Sequence, residues 1–189
     1  MASSESGHAG RQSSRDKLID AALKLVSELG VQQVTIDAVA AAAGVTKGGL
    51  IYHFKTRDEL LGAMLERMMG ELNTRIGSRK AHAVGASIQG LVLALAEETF
   101  DMPEDQRRIL SNMLAASSTY PHLMGPAQSL FSNVYGELGS SGPHAGRALL
   151  LAAALDGFSL LELMNLHQFT PQQKKTMRRA VMELARELP

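Results

Sequence analysis

Cysteine is absent from all 189 residues. That excludes disulfides, thiolate chemistry and any Cys-ligated zinc site, and it suits a reducing cytoplasm, the compartment expected for this chain. A charge excess of either sign is missing too, because 19 basic and 19 acidic side chains cancel. Bulk electrostatics therefore lends nucleic-acid binding no support, and local charge must carry any such argument. No secretory signal is expected, since the first ten residues are small and polar without an apolar run. β-Branched residues are sparse and strict apolar alternation is lacking, which argues against sheet. Catalytic patterns are missing as well. There is no Ser-His-acid order and no phosphate loop, and His82, His122, His144 and His167 form no i, i+4 pair or His-Glu-x-x-His, so no enzyme, metal site or cofactor is expected.

What is present is apolar: 45% hydrophobic residues against 20% charged places the chain among ordinary globular proteins. Its length allows one large domain or a small one joined to a larger. Only Ala148–Leu166 is rich enough to be tested as a membrane span. It carries Asp156, Glu162 and Asn165, and a central acid facing lipid costs about 2.5–3.5 kcal/mol. A buried helix is the expectation, with no membrane partner.

Apolar spacing predicts an all-α fold of about nine helices. The first spans Ser13 or Ser14 to Leu29 on a stripe of Leu18, Ala22, Leu25 and Leu29, stopped by Gly30. Thr35 caps a second over Ile36–Ala43, ended by Gly44; Thr46 caps a third that ends near Phe54. Thr56-Arg57-Asp58-Glu59 is a capping box in which Glu59 reaches back to the cap amide, opening a fourth helix through Leu60, Leu61, Met64, Leu65, Met68 and Leu72. Gly77, Ser78 and Gly85 make Ile76–Gly85 the expected break between two parts. Further helices are expected at 86–101, 104–117, 122–138, 144–166 and 171–187, the last opened by Thr170-Pro171-Gln172-Gln173.

Residues 36–53 fit a helix-turn-helix. Ala40 is small where the two helices cross, and Gly44 takes the left-handed turn at no steric cost. Ile36, Val39, Ala43, Val45 and Leu50 are the expected shared core. The short turn projects the second helix outward, at a size suited to the major groove of DNA. Residues 46–57 hold Lys47, His53, Lys55 and Arg57 with no acid among them. Gly48 and Gly49 have two readings: close approach of backbone to DNA, or a tolerated weak helix held by packing.

Thr35–Leu60, with Thr46-Lys47-Gly48-Gly49-Leu50-Ile51-Tyr52-His53-Phe54 and Arg57-Asp58-Glu59-Leu60, resembles the DNA-binding domain of TetR-type transcriptional regulators. The resemblance implies a three-helix DNA-binding domain, a fourth helix leading to a ligand-binding and dimerising domain, and a homodimer on palindromic double-stranded operator DNA. It makes Thr35 a phosphate-contacting cap and sets Thr46, Lys47 and Gly49 near bases or backbone. His53 matches a phosphate-contacting position, and Arg57 matches a usual lysine at the cap of the fourth helix. Ile51 departs from a usual phosphate-binding tyrosine. Its neighbour Tyr52 projects about 100° further round the helix. Against these roles stand packing of Tyr52 and His53 on the first helix, and plain solvation of Lys55 and Arg57. The organisation expected is a disordered tail at 1–12, a helix-turn-helix domain at 13–58 and a helical effector-binding and dimerisation domain at 59–189.

A small-molecule pocket among helices is lined by apolar and aromatic groups with few polar ones. By type the candidates are Met68, Leu72, Phe100, Met113, Tyr120, His122, Phe131, Tyr135, Phe158 and Glu162. Each methionine or phenylalanine among them also reads as ordinary core. Asp156-Gly157 is similar to a dipeptide of the penultimate helix in the TetR type, where the glycine permits close helix contact and the acid faces polar groups near the pocket. The helix 144–166 is apolar on nearly all faces, so a four-helix dimer seam with 171–187 is expected through Leu149, Ala153, Leu160, Met177 and Val181. The function expected is a repressor released from its operator by a largely apolar effector. The alternative is a helical interaction or ligand-binding module that does not bind DNA.

Overall fold

The computed structural model describes residues 13–84 and 87–189; the expected tail at 1–12 and the expected break at Gly85 lie outside them. Among the described residues nine α-helices and three single-turn 3-10 segments occur, and no strand. The helices are α1 (Ser14–Leu29), α2 (Ile36–Ala43), α3 (Lys47–His53), α4 (Arg57–Val84), α5 (Ile88–Phe100), α6 (Glu104–Ala116), α7 (Gly125–Gly139), α8 (Ala145–Leu163) and α9 (Pro171–Ala185).

Local signals set the starts. Ser13 accepts from the Asp16 amide, Ser87 from that of Gly90, and Thr170 and Gln173 exchange both bonds of a capping box. In the first three helices Leu18, Ile19, Ala22, Val26, Val39 and Leu50 close a dry core with Val34 and Phe54. Each large aliphatic side chain so buried stabilises by about 1.5–3 kcal/mol. The buried stripe of α1 runs through Ile19 and Val26; Leu29, expected on it, is 61% exposed.

Helix α4 is 28 residues long, about 42 Å at the usual rise. Gly77 and Ser78 lie inside it, so the break expected from Ile76 onward does not occur there. A helix-interior glycine costs about 1 kcal/mol, and tertiary pairing outweighs that. Arg75 Nε meets Glu98 Oε2 at 3.0 Å, Arg79 meets Glu97 at 2.5 Å and Glu98 at 2.9 Å, and Lys80 pairs with Glu137 of α7.

Helix α8 buries Ala148, Leu151, Ala152, Leu155 and Phe158 and leaves Leu150, Leu160 and Leu161 exposed. The end of α9 docks on the start of α5, where Gln89 N donates to Pro189 O at 3.1 Å. Among the described residues no helix is long and apolar enough to cross a membrane.

Candidate nucleic-acid interface and effector cavity

Thr35 Oγ1 accepts from the Ala38 amide and Thr46 Oγ1 from the Gly49 amide, both at 3.1 Å. Between these caps Gly44 is left-handed (φ 67°, ψ 33°). The amides of Gly44 and Val45 return to Ala41 O and Ala40 O at 3.2 and 3.0 Å, closing α2 with a Schellman turn. That turn aims α3 away from the body. Leu50 anchors α3 inward, while Thr46, Lys47, Gly48, Gly49, Ile51 and Tyr52 face outward. Val45, expected in the core, is 39% exposed, because the turn leaves it outside the crossing.

Tyr52 is 85% exposed, so it does not pack on α1. Its ring meets His53 edge-on at 5.1 Å, and His53 is half-buried. Lys47 Nζ lies 3.0 Å from Asp37 on α2, an acid that the fold brings to a face where the local sequence has none. Lys55 is exposed, and its amide donates to Glu59 Oε2 at 2.7 Å. The Glu59 carboxylate thus reaches one residue past the cap amide expected for it.

The two glycines separate. A Cβ on Gly48 would come no nearer than 4.0 Å to any neighbour, whereas one on Gly49 would stand 3.3 Å from the Thr46 hydroxyl. The cap explains Gly49. Nothing among the described residues explains Gly48.

Arg57 faces the chain's own backbone and not the α3 surface. Its Nε donates to Val34 O at 2.5 Å and Nη2 to Val31 O at 2.7 Å, with the guanidinium 5.0 Å from the centre of the Tyr120 ring. Two carbonyls at the end of a 3-10 turn attract a forked donor more closely than solvent does. Tyr120 and His122, expected in the pocket, stand at this same junction. Tyr120 Oη donates to Gln32 Oε1 at 3.3 Å, and His122 Nε2 lies 3.0 Å from Asp58 Oδ2. Asn112 of α6 adds a bond to Val26 O at 2.7 Å, and Arg67 of α4 pairs with Asp20 of α1. Sequence spacing gave no signal for these long-range pairs.

Helices α4–α8 surround a cavity of about 400 Å³. Of the pocket candidates, Leu72, Met113, Phe131 and Tyr135 line it, together with Leu160, a residue expected at the dimer seam. Met68 packs against the core instead. Phe100, Phe158 and Glu162 belong to a separate closure of α5, α6, α8 and α9. Phe158 lies between Phe100 and Phe169, with ring centres at 5.1 and 4.9 Å. The Glu162 side chain is only 1% exposed; it meets Arg107 at 2.8 Å, Lys174 at 2.7 Å and the Phe169 amide at 3.1 Å. Burial alone would raise the carboxyl of Glu162, but those partners, Lys174 first, hold it below the ordinary glutamate range.

Two acids reach the cavity wall that residue type had not singled out, Glu98 and Asp156. Glu98 is matched by Arg75 and Arg79. Asp156 accepts from Tyr135 Oη at 2.6 Å. Burial pushes the carboxyl of Asp156 up and the Tyr135 hydrogen bond draws it partly back; the same burial and bond push the phenol of Tyr135 up. For Asp156 the sequence signals were an acid inside an apolar run and the resemblance of Asp156-Gly157 to the TetR-type dipeptide near the pocket. A Cβ on Gly157 would meet nothing within 4 Å, so the close helix contact expected there is not made among the described residues. Of the other residues expected at the seam, Ala153 is exposed, and Leu149, Met177 and Val181 are half-buried.

Residues 18–64 match the bacterial regulatory proteins of the tetR family, and residues 89–186 match the tetracyclin repressor-like C-terminal domain. The HTH-type transcriptional regulator BetI of Serratia proteamaculans (strain 568) is 30% identical over 156 residues, covering 77% of this chain and 79% of that protein. BetI of Cronobacter sakazakii is 27% identical over 173 residues, 86% of each chain. Among solved structures, the multidrug binding protein EbrR complexed with ethidium superposes with a TM-score of 0.68 at 25% identity, over 94% of this chain and 99% of that one. A transcriptional regulator from Rhodococcus sp. Rha1 shares the fold at a TM-score of 0.71 and 19% identity, over 93% and 96%. The BetI relatives are transcriptional regulators, and they do not favour an interaction module without DNA. The family matches cover both the helix-turn-helix and the helical domain behind it, and the chain belongs to the TetR family of DNA-binding transcriptional regulators.

Proposed function

We propose that this chain is a cytoplasmic repressor that grips a palindromic operator as a homodimer and releases it when a small, largely apolar effector fills the cavity. The observation that carries the reading is the continuity of α4. One end packs Leu60, Leu61 and Met64 under the helix-turn-helix, and the other lends Leu65, Met69, Leu72 and Ile76 to the cavity wall. A ligand that favours a displaced α4 would change the spacing of two recognition helices, so that both half-sites are no longer engaged together. The 3-10 turn before α7 supplies a second link, since Met124 lines the cavity while Tyr120 and His122 hold Gln32 and Asp58.

At the DNA, Thr35, Thr46, Lys47, Tyr52, His53 and Lys55 are assigned to phosphates and groove edges, with Gly48 and Gly49 letting backbone come close. Lys47 would exchange Asp37 for a phosphate, a small loss because exposed ion pairs contribute only about 0–1 kcal/mol. Arg57 is reassigned to holding the junction. The exposed Leu150, Ala153, Leu160 and Leu161 of α8 supply the seam for a second copy. The organisation proposed remains a helix-turn-helix unit to residue 58 and an effector and dimer unit beyond it.

The test is a gel shift with DNA from upstream of the chain's own gene at two salt concentrations. Operator affinity should fall steeply with salt, and Lys47→Ala should weaken binding and lower the slope of log K against log salt by about one. Salt-independent binding, or none, overturns the reading.

A further inference from the structure

We propose that the effector cavity takes a monovalent organic cation with an apolar body, and that the Asp156 carboxylate is its anchoring counter-charge. The inference rests on the reading of this cavity as the effector site and adds the charge of its ligand.

The wall is a low-polarity surface in which methionines and aliphatic side chains dominate, and among the described residues no Lys, Arg or His takes part in it. Two carboxylates reach it, and they are not equivalent. Glu98 already has two guanidinium partners behind it, at 3.0 and 2.9 Å. Asp156 has the Tyr135 hydroxyl at 2.6 Å and forms no ion pair among the described residues. A phenol hydrogen bond satisfies one lone pair but supplies no charge. Burial pushes the Asp156 carboxyl up, and the Tyr135 hydrogen bond offsets that push only in part.

Ligand entry sharpens this imbalance. A neutral body filling the cavity strips the remaining water from Asp156 and leaves the charge worse solvated. An anion adds repulsion at short range in a low dielectric. A cation cancels the charge of Asp156, and Phe131 and Tyr135 bring aromatic rings to the same wall, whose faces attract cations. A metal ion fits poorly, because no group of three or more His, Cys, Asp or Glu stands together among the described residues. The volume, about 400 Å³, falls within the range of sites for drug-sized molecules.

Three probes of nearly one shape decide the matter: methyltriphenylphosphonium, methyltriphenylborate and triphenylphosphine oxide, titrated calorimetrically into the full chain. Phosphonium should bind at least about tenfold more tightly than either the borate or the oxide, as expected for a charge-assisted contact away from bulk water. In Asp156→Asn the preference of phosphonium over oxide should collapse to about one, with a cooperative melt showing that the variant folds. Borate or oxide binding as well as phosphonium in the wild type overturns the proposal, whether or not the variant folds. So does a preference that survives Asp156→Asn, and so does failure of phosphonium to bind at millimolar concentration. Asp156-dependent binding that leaves the operator complex intact in a gel shift would sink effector release and leave the anchor standing.

Discussion

The two halves of α4 are built differently although one helix carries both. Toward its start, Leu60, Leu61 and Met64 are fully buried in a close-packed core shared with α1 and α3. Toward its end, Leu72 is half-buried, and Leu65, Met69, Leu72 and Ile76 face an open volume. On the proposed function, the first half would transmit displacement because it has no slack, and the second would accept a guest because it has some. The largest expected effect tests this contrast. Leu61→Ala should destabilise the chain by about 3–4 kcal/mol, since the core around it is filled on every side. Leu72→Ala should cost about 1 kcal/mol, because its surroundings already lack atoms on one side. Urea unfolding of the two variants measures the difference, and equal losses would erase it.

A second contrast lies between the acids of the larger domain. Glu162 is buried but fully matched, so Glu162→Gln should lose about 3 kcal/mol at pH 7, the low end for breaking a buried pair. Because its folded carboxyl is held below the ordinary glutamate range, its contribution is complete above the unfolded value, near pH 4.3, and fades as pH falls through the folded one. The gap between wild type and variant should therefore close on acidification. A gap that widens toward low pH would mean that Glu162 is not stabilised as an anion.

Where neighbours in sequence set the structure, the sequence could be read. Thr35, Gly44 and Thr46 punctuate α2 and α3 through bonds spanning three to five residues, and the α9 capping box is equally local. Where partners lie far apart along the chain, it could not. Gly77 and Ser78 look like a break until Arg75, Arg79 and Lys80 find acids on α5 and α7. Tyr120 and His122 have the composition of pocket residues, and only the fold sets them beside Gln32 and Asp58. The place of Glu98 on the cavity wall was hidden for the same reason, and for Asp156 the resemblance gave the neighbourhood of the pocket but neither residue type nor spacing gave its Tyr135 partner.

Arg57 lies on the border between these cases, and its variant gives a smaller but sharper signal. Arg57→Gln removes both bonds to the Val31 and Val34 carbonyls, which should cost about 1.5 kcal/mol. The salt slope of operator binding should stay where it is, because the guanidinium is spent on backbone. A slope lowered by about one would return Arg57 to the phosphate contacts.

The smallest expected effect concerns Gly48, and its sign matters more than its size. Its φ is not positive, and a Cβ would find open space, 4.0 Å from the Thr46 hydroxyl at the nearest. Gly48→Ala should therefore stabilise the chain, by about 0.4–1 kcal/mol through the unfolded state. Gly49→Ala, pressed 3.3 Å from that same hydroxyl, should gain nothing. If Gly48 is there so that backbone can approach DNA, Gly48→Ala will bind operator more weakly while melting later. A variant that melts later and binds equally well would make Gly48 a tolerated weakness of α3, and the closest approach to the duplex would then belong to Thr46 and Lys47.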